Sequence, residues 1–291
     1  MNTELFQVRT DLALEVRESF EGDGGELRGV SIEESYDSER DIQVTRVKIE
    51  TENGARAMGK PVGTYLTLEA PGLLEEDDEY HRTVSEALAC YLQDMIGNGE
   101  KSVLIVGLGN RDVTPDALGP QVAANLMITR HLIKEYGVCA FGKEKMHRVS
   151  AVVPGVMAQT GMESFEIVKG IVDQTKPDLV IAVDALAARS TKRLNRTIQI
   201  SDAGIHPGSG VGNHRNALTR EKLGVPILAL GIPTVVDAAT IVYDVIGDWE
   251  GITPNLNGMF VTPKNVDEMI KRLGFTVAEA INIALDVVCG V

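Results

Sequence analysis

Apolar positions follow two regimes along the chain, and the change comes near residue 100. Beyond it, "SVLIVGLG" (102–109) is an unbroken apolar run ending in glycines, which predicts a strand covered on both faces. "HRVSAVVP" (147–154), "DLVIAVDAL" (178–186) and "VPILALGIP" (225–233) have the same character. Between and after them lie stretches with helical spacing of apolar residues: 117–133, 164–175 and 237–247, followed by helices in the tail from 265 to 288. Alternating strands and helices predict an α/β fold of three layers, with a mostly parallel central sheet flanked by helices. Before residue 100 the pattern is weaker. Residues 1–40 are acidic and rich in Gly and Ser, which suggests a loosely held arm and a turn-rich segment. "IQVTRVKIET" (42–51) and "KPVGTYLTLEA" (60–70) alternate as strands, joined by a loop containing Asn53-Gly54. A helix with acids in its first turn fits 73–96. The expected organisation is an N-terminal extension to residue 100 and an α/β core over 101–291.

Composition narrows the function. A formal net charge of −14 over 291 residues argues against a nucleic-acid surface, which needs basic groups to displace phosphate counterions. No apolar run reaches the roughly 18 residues of a membrane helix, and the N-terminus lacks a secretory apolar region, so a cytoplasmic protein without membrane contact is expected. Cys90, Cys139 and Cys289 are odd in number and widely separated; Cys90 and Cys139 sit among apolar neighbours and read as buried free thiols.

In parallel sheets, chemistry collects beyond the carboxyl ends of strands. Three segments there carry reactive side chains: "NRDVTPDALGP" after the first core strand, Asp184 in "VDALAARS", and "SDAGIHPGSGVGNHR" with Asp202, His206, Asn213, His214 and Arg215. The first resembles a phosphate loop only superficially. "GLGNRD" has Asp112 where a dinucleotide fingerprint needs its third glycine, and Asp112 and Asp116 would repel a pyrophosphate. Pro115 and Pro120 instead stiffen the chain around Asp116. Asp116 and Asp184 can each be read as a helix cap. Together they form a candidate dyad, in which one carboxylate activates water and the other, protonated, serves the leaving amine. Asp116, Asp184 and His206 also make a two-acid, one-imidazole metal set, although no close-spaced ligand motif accompanies them. A serine nucleophile has no G-x-S-x-G motif to support it. The residues alone reach a carboxylate-assisted hydrolase.

"VRTDLALE" (8–15), "VGLGNRDVTPDALGP" (106–120), "PGVMAQTGMES" (154–164), "VIAVDALAARS" (180–190), "ISDAGIHPGSGVGNHR" (200–215) and "GIPTVVDAAT" (231–240) together resemble the germination proteases of spore-forming bacteria. The resemblance implies an atypical aspartic-type endopeptidase that degrades small acid-soluble spore proteins in the spore core during germination. It implies a fold related to the hydrogenase maturation proteases, a homotetrameric zymogen that processes itself, and no metal or other cofactor. The essential aspartates fall on Asp116 and Asp184, with Asp112, His206, Asn213 and His214 in support or substrate binding. Backbone amides of 208–213 are candidate oxyanion donors. "Thr10-Asp11-Leu12-Ala13" imitates the substrate pattern, an acid followed by an apolar residue and Ala. That places self-cleavage between Asp11 and Leu12 and makes residues 1–11 a propeptide. The alternative is a metal-dependent, maturation-type peptidase using Asp116, Asp184 and His206.

Overall fold

A computed structural model describes residues 10–20, 27–206, 216–246, 256 and 258–287. Its strands are β1 (Val30–Asp37), β2 (Ile42–Ile49), β3 (Gly63–Glu69), β4 (Ser102–Gly107), β5 (Arg148–Val152), β6 (Leu179–Ala188), β7 (Thr197–Ser201), β8 (Ile227–Asp237) and β9 (Phe260–Val261). The α-helices are α1 (Ala13–Glu18), α2 (Glu52–Met58), α3 (Asp78–Ile96), α4 (Leu118–Ala124), α5 (Arg130–Tyr136), α6 (Met157–Thr160), α7 (Ser164–Thr175), α8 (Arg220–Leu223), α9 (Ala238–Ile246) and α10 (Val266–Ala284).

All these strands belong to one sheet, ordered β1-β2-β3-β7-β8-β6-β4-β5, with β9 paired to β8. β8, β6, β4 and β5 pair in parallel and form the expected α/β core. The extension's strands join the same sheet antiparallel, through β3 on β7 and β7 on β8, so the sheet as a whole is mixed rather than mostly parallel. The continuous apolar runs have a simple cause. Val103, Ile105, Ile181 and Val183 point to one face, packing with α3, α4 and α10, whereas Leu104, Val106, Val180 and Ala182 point to the other with Val168 and Val172 of α7. Successive side chains alternate faces, so a strand buried twice must be apolar throughout.

Several expectations are corrected. The segment read as a turn-rich arm contains α1 and β1; β1 is an edge strand whose largely exposed "VSIEESYD" hides its alternation. Asn53-Gly54 is not a turn between strands but lies inside α2, which Thr51 caps by accepting the Gly54 N–H at 3.1 Å and Gly59 ends at φ +57°. The helix expected over 117–133 is two, α4 and α5. Between them the Asn282 side chain bonds both Met127 N–H and the Asn125 carbonyl, replacing helical partners with tertiary ones. The tail forms one 19-residue helix, α10. β7 falls between the strands expected at 178–186 and 225–233, where no element was expected. Cys90 and Cys139 are exposed rather than buried. Cys90 falls on the outer side of α3, whose neighbours Leu88, Ala89 and Leu92 face inward. Cys289 lies outside the described residues.

Candidate active site

β4 ends at Gly107, level with Val183 of β6, and Leu108 N–H then donates to the Val183 carbonyl at 2.8 Å. The chain turns away at Gly109, where φ is +108° and a Cβ would lie 1.9 Å from the Asp116 carbonyl oxygen. Glycine is required there by both conformation and space. Asp116 closes a short 3₁₀ turn, Thr114–Asp116. The Asn110 N–H donates to its Oδ2 at 2.8 Å, and the buried Thr234 hydroxyl holds the Pro115 carbonyl at 2.6 Å. The capping alternative does not apply, because the N-cap of α4 is Ala117 without a side-chain bond.

Asp184 is 4% exposed and lies within β6, not at its end, so it caps nothing either. It pairs in register with Gly231 of β8, which in turn pairs with Gln199 of β7. Asp184 and Gln199 thus face the same side of the sheet in one row, and the residue between them has no side chain. Asp116, Asp184 and His206 line one cavity of about 410 Å³ with Asp11, Lys60 and Gln199. Burial, aided by Lys60 and Lys222, holds the His206 imidazole below its ordinary pKa.

The arm before α1 crosses this cavity. Asp11 N–H donates to the Ala187 carbonyl at 2.9 Å, while Ala187 N–H donates to the Asp11 carboxylate at 2.9 Å. Its carbonyl accepts from Lys60 Nζ at 3.0 Å and Gln199 Nε2 at 3.2 Å. Leu12 is fully buried against Leu104, Val106 and Val180, a contact worth about 2 kcal/mol. Ala13 N–H donates to Gln199 Oε1 at 2.8 Å. Glu15, also buried, accepts from Arg189 and Ser190 N–H at 2.7 and 3.0 Å and from the Thr10 hydroxyl, and it faces Arg193. A bulge in the β6–β8 pairing, between Leu186 and Ala187, lies beside the point where Ala187 meets the arm.

The other candidates are placed apart from the acids. Asp112 is exposed and accepts from Gln159 Nε2 at 3.0 Å, a brace for the loop. Asp202 accepts the Thr64 N–H at 2.7 Å at the start of β3. Asn213, His214, Arg215 and the backbone of 208–213 lie outside the described residues. Among the described residues, no three His, Cys, Asp or Glu side chains are gathered closely enough to hold a metal ion, so Asp116, Asp184 and His206 share a cavity without forming a ligand set. Sequence reasoning missed Lys60 and Gln199. Gln199 had one signal, a long amide side chain at an inward position of the alternating "TIQIS".

A family model described as germination protease matches residues 8–250 of the chain. The chain belongs to the germination protease family. It is 47% identical to a germination protease of Caldanaerobacter subterraneus, over 96% of this chain and 94% of that one. Identity is 41% to a germination protease of Clostridium perfringens, covering 97% and 96% of the two chains. The germination protease of Bacillus subtilis is 47% identical over 83% of this chain and 66% of its own. Among solved structures, a nickel–iron hydrogenase maturation protease from Thermococcus kodakarensis aligns with 66% of this chain and 99% of its own, at 22% identity and a TM-score of 0.35. Membership makes the chain a peptidase of spore germination. Among the described residues no helix is long and apolar enough to cross a membrane.

Proposed function

We propose that the chain is an aspartate-dyad endopeptidase, made as a zymogen, that cuts itself between Asp11 and Leu12 and then begins the breakdown of small acid-soluble spore proteins. Asp116 and Asp184 are its catalytic pair, Asp112 and His206 support the site, and residues 1–11 are the propeptide. Asn213 and His214 complete the substrate side, the enzyme works as a homotetramer in the spore core, and no cofactor takes part.

One observation carries this reading: Asp11, in the segment imitating the substrate pattern, lines the cavity that both acids line and is held there through its backbone. In the reaction, an ionised carboxylate takes a proton from water as its oxygen bonds to the Asp11 carbonyl carbon. The partner carboxylic acid then gives its proton to the Leu12 nitrogen as the carbon–nitrogen bond breaks. Positioned proton transfer of this kind contributes about 10²–10⁴-fold in rate. The surrounding apolar wall, Leu108, Leu186 and Leu230, limits water and strengthens charge interactions at the bond.

Intact-mass analysis of the purified full chain tests the proposal. The wild type is expected to convert to a form beginning at Leu12, before and after exhaustive chelation. Asp116→Asn and Asp184→Asn should both stay unprocessed, and Asp112→Asn should process at a reduced rate. A new N-terminus elsewhere, or a dead Asp112→Asn beside a live Asp116→Asn, overturns the assignment. Processing abolished by chelation would favour the metal-dependent alternative.

A further inference from the structure

The dyad accounts for protons but not for the charge that gathers on the carbonyl oxygen as water adds. We propose that Lys60 and Gln199 are the oxyanion donors of this peptidase, one ammonium and one carboxamide aimed at the carbonyl of the bond to be cut. The inference rests on the cleavage reading above and adds two catalytic residues to it.

The geometry is specific. Lys60 Nζ lies 3.0 Å from the Asp11 carbonyl oxygen and 3.2 Å from that of Thr10, while Gln199 Nε2 reaches the Asp11 oxygen at 3.2 Å. These are two donors on one carbonyl, at or just beyond the roughly 2.7–3.1 Å that oxyanion donors need. Gln199 does a second thing with the same amide. Its Oε1 accepts the Ala13 N–H at 2.8 Å, so one side chain grips the chain on both sides of Leu12 and fixes which peptide faces the acids. Its own position is rigid, since Gln199 pairs with Thr67 of β3 and Gly231 of β8 in the middle of the sheet.

Gly231 separates Gln199 from Asp184 along the row, and the Leu186 side chain packs over it, so close that a Cβ there would fall 2.5 Å away. Strands spaced by about 4.8 Å place Gln199 and Asp184 roughly 10 Å apart at the backbone. The Asp11 carbonyl oxygen faces the donors, in the cavity that Asp116 and Asp184 also line. As water adds, the C=O π pair moves onto oxygen and is held by the Lys60 ammonium and the Gln199 N–H. It returns to carbon as the bond to the Leu12 nitrogen breaks. Burial lowers the Lys60 pKa against the opposing pull of Asp11 and Glu15; as a hydrogen-bond donor it gives up no proton, and the proton balance remains with the two aspartates.

The test compares self-processing rates of full-length variants by intact mass, with Asp184→Asn alongside. Lys60→Met is expected to slow processing about 10²–10³-fold, the usual cost of losing one oxyanion donor. Lys60→Arg, which keeps charge and reach, should recover at least a tenth of the wild-type rate. Gln199→Glu keeps the acceptor for Ala13 N–H but places a carboxylate oxygen where the donor stood. It should process at least 100-fold slower with the melting temperature little changed, and it decides the matter if Lys60→Met folds poorly. Wild-type rates, within threefold, in either Gln199→Glu or a folded Lys60→Met overturn the inference while a dead Asp184→Asn leaves the dyad standing. A live Asp184→Asn overturns the dyad instead.

Discussion

Gly109→Ala asks whether the loop after β4 exists to aim Asp116. An alanine Cβ at this position would sit 1.9 Å from the Asp116 carbonyl oxygen, whereas carbon–oxygen contacts settle near about 3.3 Å. One of the two backbone segments must therefore retreat by roughly 1.4 Å. Positive φ at a non-glycine residue costs about 1–3 kcal/mol, and overpacking a further 1–3 kcal/mol before relaxation. The loop can relax, because Arg111, Asp112 and Val113 are exposed, so we expect a net loss of about 2 kcal/mol and a melting point lower by about 4–8 °C. The functional loss should be much larger than the stability loss. A displacement of about 1 Å at a reacting group costs on the order of 100-fold in rate. Gly137→Ala is the control, since Gly137 also has positive φ (+75°) but nothing within 4 Å of its would-be Cβ. It should lose stability alone. Self-processing followed by intact mass, beside thermal melts, separates the two effects. If Gly109→Ala processes within threefold of wild type, Asp116 is not held by this loop at the reacting position, and the argument fails.

Two further outcomes follow from charges buried beside the arm and the core. Arg193→Met should loosen the arm, because Arg193 pairs with Glu15, Glu18 and Glu69, and hydrogen bonds to charged groups contribute about 1.5–3 kcal/mol. Limited proteolysis should then cut within residues 10–20 faster than in the wild type while the core melts nearly as before; an arm equally protected in both proteins refutes it. Stability should fall on acidification partly through His81, 5% exposed, whose Nδ1 lies 2.7 Å from the Thr276 hydroxyl. Burial first, then Arg272, lowers its pKa against the opposing pull of the Glu75 backbone, Asp78 and Asp77. The unfolded chain therefore takes up this proton more readily, and stability is present above about pH 6.5 and lost as pH falls through the lower folded value. Urea midpoints at pH 7 and pH 5 should differ less in His81→Gln than in the wild type, and an unchanged difference counts against the assignment.

How far the sequence could be read depends on where each element's partners lie. The parallel core was legible because burial on both faces leaves strands such as 102–107 and 179–188 apolar along their length. β1 escaped because an edge strand with one open face needs little apolar sequence, and β7 because five residues leave too short a period. Asn53-Gly54 misled because capping by Thr51 and Gly59 outweighed the turn propensity of the dipeptide. Asp116 and Asp184 could be found since each stands out against its own strand or turn. Lys60 and Gln199 could not, because their role is created by pairing across the sheet.

β7 explains why the extension is part of the machine. It is the one strand that pairs with β3 on one side and β8 on the other, so it joins the antiparallel half to the parallel half. The parallel half carries both acids. The antiparallel half carries Lys60, which leads into β3, and β7 itself carries Gln199. The arm runs along this seam, with its Asp11 carbonyl on the Lys60 and Gln199 side and its Asp11 backbone on Ala187 of β6. On the proposed mechanism, neither half alone would present both the donors for the carbonyl and the acids for water and the amine, which ties the integrity of the β3–β7 pairing directly to the proposed catalysis.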